Sequence, residues 1–263
     1  VFDDLKIRNK LILLMAGPLV LILLLSALGA RDRRDSASES REVESLVTTA
    51  QANANVVHTL QLEALYSSSF VGSEREAWAE DVTKARKATD VALQKALPRL
   101  SEVGGSTAVR SSADLAIGAA DKLKYFRDIV DEGLRSDQLH ELVINYSETE
   151  ATFTAVNINI ADSLADPAAA AELRGLNALA AYKGALASQG ALIAGASGQG
   201  NLGPQRALDA YAGWRTDEAN ATSLLAKLSG ASRKGAIRDA LATEEGEIFE
   251  VVRGRAADSD DGA

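Results

Sequence analysis

The chain has 263 residues, of which 46% are apolar, 25% charged and 5% aromatic. That balance suits a folded protein of one large domain or two small ones, and the absence of Cys excludes disulfide scaffolds, thiolate zinc sites and Cys nucleophiles. The net charge is −9; setting aside Lys6, Arg8, Lys10, Asp3 and Asp4 in the first thirty residues leaves 25 basic against 35 acidic side chains. So acidic a surface repels a phosphate backbone, and nucleic acid is not an expected partner. With only His58 and His140 as histidines, neither a metal nor a cofactor is expected.

Leu11 to Ala30 is a run of twenty residues without a charge. At about 1.5 Å per residue it matches the roughly 30 Å hydrocarbon core of a bilayer. The run is read as an uncleaved transmembrane helix after a short cytoplasmic N-terminus at 1–10, with Pro18 as a tolerated kink. A cleaved signal peptide, with Ala27 and Gly29 before the cut, is the rival reading. Arg31, Arg33 and Arg34 balance the basic residues before the span, so charge alone leaves orientation tied. No second apolar run of that length follows, and a long acidic domain outside the cell is the expected layout. The first residue, Val1, and a polar 258–263 tail suggest a piece of a longer protein.

Beyond the span the expected elements are all helices. Val43, Leu46, Val47, Ala50, Ala54, Val57, Leu60, Ala64 and Leu65 recur at helical spacing. A turn at Gly72-Ser73 precedes a second helix from about Glu74 to Leu100, with Trp78, Val82, Ala85, Leu93, Ala96 and Leu97 inward. A third follows Gly104-Gly105-Ser106 and passes through Leu115, Ala119, Leu123, Phe126 and Val130 to a stop at Gly133. Ser136 or Asp137 would cap the fourth, through Leu139, Tyr146, Phe153 and Ile160. Asp166-Pro167 is a start signal for a fifth over about 167–195. Gly195 to Gly203 then forms a loop, Pro204 opens a sixth helix through Leu208, Tyr211, Trp214 and Leu224, and a seventh passes through Ile237, Leu241, Ile248 and Val251. No alternating strand pattern stands out. The expected fold is all-α: an N-terminal transmembrane helix, then an antiparallel extracytoplasmic bundle over 31–257, or two bundles sharing a long helix.

Gly195 to Gly203 lacks the Lys-Ser/Thr ending of a phosphate loop and has no preceding strand, so it reads as a helix connection. His58, near Gln61 and Glu63, is a metal ligand only if a second ligand pair exists; otherwise it is hydrogen-bonded or exposed. Ser67-Ser68-Ser69 has neither a nucleophile elbow nor a nearby base. Polar residues set among small ones carry more signal: Gln61 and Glu63 on the first helix, and Tyr182 to Gly190 with Gln189 on the fifth. Such side chains line a ligand cavity, bond across helices or face water. Arg215, beside Trp214, is a candidate anion donor or a surface side chain.

These segments resemble the NIT family, the nitrate- and nitrite-sensing module of bacterial membrane receptors. The resemblance runs through LKIRNKLILLMAGPLVLILLLSALGARDR, VVHTLQLEALYSSSFVGS, ARKATDVALQKALPRL and AYKGALASQGALIAGASGQGNLGPQRALDAYAGW. Gln61 and Glu63 match the Gln-x-Glu-Arg-Gly pattern of the family's first helix, whereas Ala64 and Leu65 replace its Arg and Gly. Gln189 matches a later Gln-Glu-Arg pattern, whereas Gly190 and Ala191 replace Glu and Arg. The resemblance implies an all-helical sensor in which arginines hold a planar oxyanion by bidentate, charge-assisted hydrogen bonds. Both motif arginines are absent, which makes nitrate specificity doubtful.

The Ala/Gly/Arg-rich character is similar to actinobacterial sensor histidine-kinase-like proteins. That likeness implies a homodimer in the cell membrane, with roadblock-type and small GTP-binding proteins as cytoplasmic partners of a missing C-terminal part. The expected function is a non-catalytic extracytoplasmic sensory region that transmits ligand or partner binding by helix rearrangement. Its candidate ligand-binding residues are Gln61, Glu63, Gln189 and Arg215. The alternative is a membrane-anchored helical adaptor that docks another envelope protein and has no small-molecule ligand.

Overall fold

The computed structural model describes residues 41–134, 138–196 and 205–228. The chain divides into two compact units, Val1–Ser45 and Leu46–Ala263. In the first, the described residues 41–45 are helical. The expected transmembrane segment 11–30, the N-terminus 1–10, the seventh helix and the 258–263 tail all lie outside the described residues, as do Ser136, Asp137 and Pro204. No helix among the described residues is long and apolar enough to cross a membrane.

The second unit is all-helical over its described residues. Helix α1 covers 46–72, and from Val56 to Gly72 none of its residues is exposed. An amphipathic stripe would bury one face. Here Gln61, Glu63, Ser67 and Ser68 are buried together with Val57, Leu60 and Ala64, so neighbours surround the helix. α2 (Ala79–Ser101) carries Glu80 and Asp81 in its first turn and Arg99 in its last, each complementing the helix dipole. The expected start at Glu74 is corrected. Residues 73–78 form a turn in which Glu74, Arg75 and Trp78 have φ of 54°, 69° and 73°, which a helix cannot continue. Trp78 is consequently not inward but 45% exposed, and its ring stacks at 6.0 Å on Tyr66.

The expected third helix is two. α3 (Thr107–Asp121) starts at Ser106, whose Oγ accepts from the Val109 N–H at 3.3 Å. It ends at Lys122, where the N–H reaches the Ala119 carbonyl three residues back and tightens the turn. α4 (Leu123–Glu132) then runs to Gly133, whose φ of 117° suits only glycine. Leu115, expected inside, lies on the outer face of α3 and is 67% exposed. Arg75 of the 73–78 turn donates to the Val130 carbonyl at 3.1 Å, tying that turn to the C-terminal end of α4.

α5 (Leu139–Ser163) and α6 (Pro167–Ala196) are separated by three residues, which makes them antiparallel neighbours. Asp166 caps α6 as expected: its Oδ1 accepts from the Ala168 N–H at 2.8 Å, ahead of Pro167 in the first turn. α7 (Gln205–Leu228) packs along α6. Ala207 meets Ala191 and Leu192 at one end of this pair, whereas Leu224 and Ala178 share a cavity at the other, so α7 runs antiparallel to α6 and parallel to α5. Leu208, expected inward on α7, is 42% exposed. The main packings set α2 on α3, α3 on α5, α5 on α6 and α6 on α7. α5 therefore bridges the α2–α4 side and the α6–α7 side, beside the buried α1.

Candidate functional site

Two faces of α1 do different work. On one, Glu63 has no exposed surface and takes a bidentate pair from Arg127 of α4, with Nε to Oε1 at 2.7 Å and an Nη to Oε2 at 2.9 Å. The Tyr146 hydroxyl of α5 donates to the same Oε1 at 2.9 Å, and Arg127 also reaches Asp90 of α2 at 2.7 Å. Burial pulls the Arg127 guanidinium down, but Glu63 and Asp90 outweigh it and hold its pKa above the ordinary value. Burial and the Glu63 charge together push the Tyr146 phenol well up, so it remains a donor. The Glu63 carboxylate joins α1, α4 and α5, and Arg127 extends the network to α2.

On the other face, Gln61 lines a cavity of about 610 Å³ between α1, α5, α6 and α7. Its Nε2 donates to the Ala180 carbonyl at 3.3 Å, and its amide also bonds the Glu150 carboxyl of α5. α6 comes this close because residue 184 is glycine: a Cβ there would stand 3.0 Å from Gln61 Nε2 and 3.3 Å from Glu150 Oε2. Glu150 is 6% exposed, and burial raises its pKa to about 8, with the Gln61 bond pulling the other way. Trp214 closes the same end, its Nε1 donating to Ser147 of α5 at 3.2 Å. Alanines, Ile158 and Leu224 form the apolar part of the remaining wall, and Thr154, Asn177, Asp162 and Arg174 its polar part. Asp217 and Asn220 of α7 are exposed at the mouth.

The residues singled out in the sequence are thus separated. Gln61 lines the cavity, while Glu63 turns to Arg127 and Tyr146. Gln189 is wholly buried and donates to Glu218 of α7 at 3.1 Å, and Arg215 lies 4.0 Å from the same carboxylate. Gln189 and Arg215 meet at Glu218; Gln61 and Glu63 are two residues apart and point to different partners. His58 is half-buried, with Nδ1 3.3 Å from Lys183 Nζ. No group of three metal-ligating side chains occurs among the described residues. Glu150, Trp214 and Arg127 are site residues that sequence reasoning does not single out. Trp214 is legible only as an apolar position of its helix, and Glu150 only as a carboxylate on the inward stripe of Tyr146, Phe153 and Ile160.

The NIT family profile, described as nitrate and nitrite sensing, matches residues 55–263. Among solved structures, the chain is similar to the NasR transcription antiterminator, with a TM-score of 0.71 and 17% identity over 84% of this chain. The match spans 60% of that protein's length. At that identity the likeness establishes the fold. No curated protein matches.

Proposed function

We propose, from the premise that this chain belongs to the NIT family of nitrate- and nitrite-sensing domains, that occupancy of the α1–α5–α6–α7 cavity is the signal it senses and α1 the element that carries it. The carrying observation is the pair Gln61 and Glu63. One contacts the cavity and the other, two residues on, holds α2, α4 and α5. A ligand that reorients Gln61 works directly on the helix whose opposite face is locked, and packed helices shift between discrete arrangements. A ligand biases such an equilibrium only by binding the two arrangements unequally.

Nitrate is a poor fit to this cavity. Ala64 and Ala191, the positions where the resemblance implies arginines, are buried at 3% and 0% and lie outside the cavity lining. The guanidinium that lines the cavity, Arg174, is 2.9 Å from Asp162, and Arg215 is beside Glu218. A planar oxyanion needs an unneutralised fork. On this proposal the domain carries out no reaction of its own and is the extracytoplasmic sensory part of a dimeric, kinase-like membrane receptor, which the uncharged run at 11–30 supports.

Hydrogen exchange on the purified chain tests the coupling. Ala221→Trp fills the cavity from α7 and leaves every residue of α1 unsubstituted. Altered protection across 56–72 is the expected result, and unchanged protection there in a folded variant overturns the reading.

A further inference from the structure

Resting on the reading of that cavity as the sensory site, we propose that it takes a small organic ammonium compound, held by Glu150 at its floor and Asp217 at its mouth beside the Trp214 ring. The register of the parallel helices α5 and α7 brings these groups together. Trp214 is bonded to Ser147, and one turn onward along the two helices stand Glu150 and Asp217. Two carboxyl groups therefore face one end of a trough whose middle is lined largely by alanines of α5 and α6. The cation that shares the wall, Arg174, is at the far end with Asp162. Lys183 turns to His58 and does not line the cavity.

A carboxyl group buried against a neutral amide has no cation to balance it, and a cavity beside it leaves room for one. An aromatic ring in that position adds attraction for an ammonium ion. Asn177, 8% exposed on the same wall, has a buried Nδ2 without a partner, which a turn of its amide would offer to a ligand that also carries an oxygen acceptor. The alanines along α5 and α6 would cover the carbon chain. Glu150 holds its proton at neutral pH in the empty cavity, given a pKa of about 8. When an ammonium ion enters, Glu150 ionises, the proton passes to water, and the ion pair formed leaves the site's charge unchanged.

The test is titration calorimetry of the whole chain at neutral pH, in two buffers of different protonation enthalpy. The probes are ethanolamine, choline and 4-aminobutyrate, with potassium nitrate as the anion control. Binding of at least one ammonium probe with release of about one proton, weakened about tenfold or more by Glu150→Gln, is the expected result. Circular dichroism of Glu150→Gln confirms that it folds. The proposal is overturned if none of the three probes binds at about 10 mM, if Glu150→Gln leaves binding unchanged, or if no proton is released. Nitrate binding that Ala221→Trp blocks would also overturn the ammonium class while leaving the cavity as the sensory site. Unchanged α1 exchange in Ala221→Trp, by contrast, removes the sensory reading itself.

Discussion

Glu63 and Arg127 form a bidentate ion pair across α1 and α4 in which the carboxylate has no exposed surface and the guanidinium side chain keeps 19% of its own. A buried pair of this kind adds little net stability over an apolar replacement, but breaking it strands a charge. Arg127→Met is therefore expected to cost about 3–5 kcal/mol. The double variant Glu63→Gln/Arg127→Met should recover much of that loss, because the amide that replaces the carboxylate is neutral and its oxygen still accepts from the Tyr146 hydroxyl. Urea denaturation of the two variants measures the difference. Equal losses in both would show that the charge left behind is not the cause.

Glu150 sets a pH dependence of the opposite sense to that of a salt-bridged acid. Its pKa rises from the ordinary 4.5 to about 8 on folding, so between those values the folded chain keeps a proton that the unfolded chain has lost. Stability then falls as pH rises through this window, by at most about 1.4 kcal/mol per pH unit, and levels off above it. Glu150→Gln removes this contribution, and its stability should exceed that of the parent chain at pH 8 by more than it does at pH 5. Denaturation midpoints at the two pH values provide the check.

Two glycines in helices predict opposite signs. A Cβ on Gly72 would lie 2.6 Å from the Ala194 carbonyl oxygen and 2.6 Å from Gly195 Cα, which are backbone atoms of α6 that cannot rotate aside. Gly72→Ala must push α1 from α6 and should cost about 1–3 kcal/mol. Gly118 is exposed inside α3 with nothing within 4 Å of the same built atom. Gly118→Ala should add about 0.5–1 kcal/mol, since alanine loses less backbone freedom in a helix. Thermal unfolding of both variants gives the signs.

Several helix ends are legible in the sequence because they rest on local chemistry: the Asp166-Pro167 start and the Gly133 stop each act within one turn. The break at Lys122 between α3 and α4, by contrast, carries no Gly or Pro to mark it. Nor is the start of the second helix legible, because Glu74, Arg75 and Trp78 take positive φ in a turn held by contacts made elsewhere. Arg75 is anchored to Val130 and Trp78 to Tyr66, and neither partner is adjacent in sequence. The site is half legible. Gln61 and Gln189 stand out as polar residues among small ones, and both are buried. What local spacing does not encode is the rotation of α1 that sends Gln61 to Ala180 of α6 and Glu150 of α5 but Glu63 to Arg127 of α4 and Tyr146 of α5. Gly184 reads as a small residue in a helix; its purpose, admitting Gln61 and Glu150, exists only once three helices have met.

Ala191, where the sequence resemblance implies an arginine, makes a last expectation about nitrate concrete. Ala191 has no exposed surface and packs in the cluster of Val143, Ala185, Leu192, Ala207 and Trp214. Introducing arginine there would bury a guanidinium among these apolar side chains. Ala191→Arg is thus expected to lower stability by about 3–5 kcal/mol, comparable to stranding any buried charge. If the core were instead still shaped for an oxyanion, nitrate would pair with the new side chain and offset the loss. Melting curves of Ala191→Arg with and without about 10 mM potassium nitrate, against potassium chloride at the same ionic strength, separate the two. No difference between the salts is expected, whereas a nitrate-specific rise of about 3 °C or more would show that an oxyanion site persists behind the alanine.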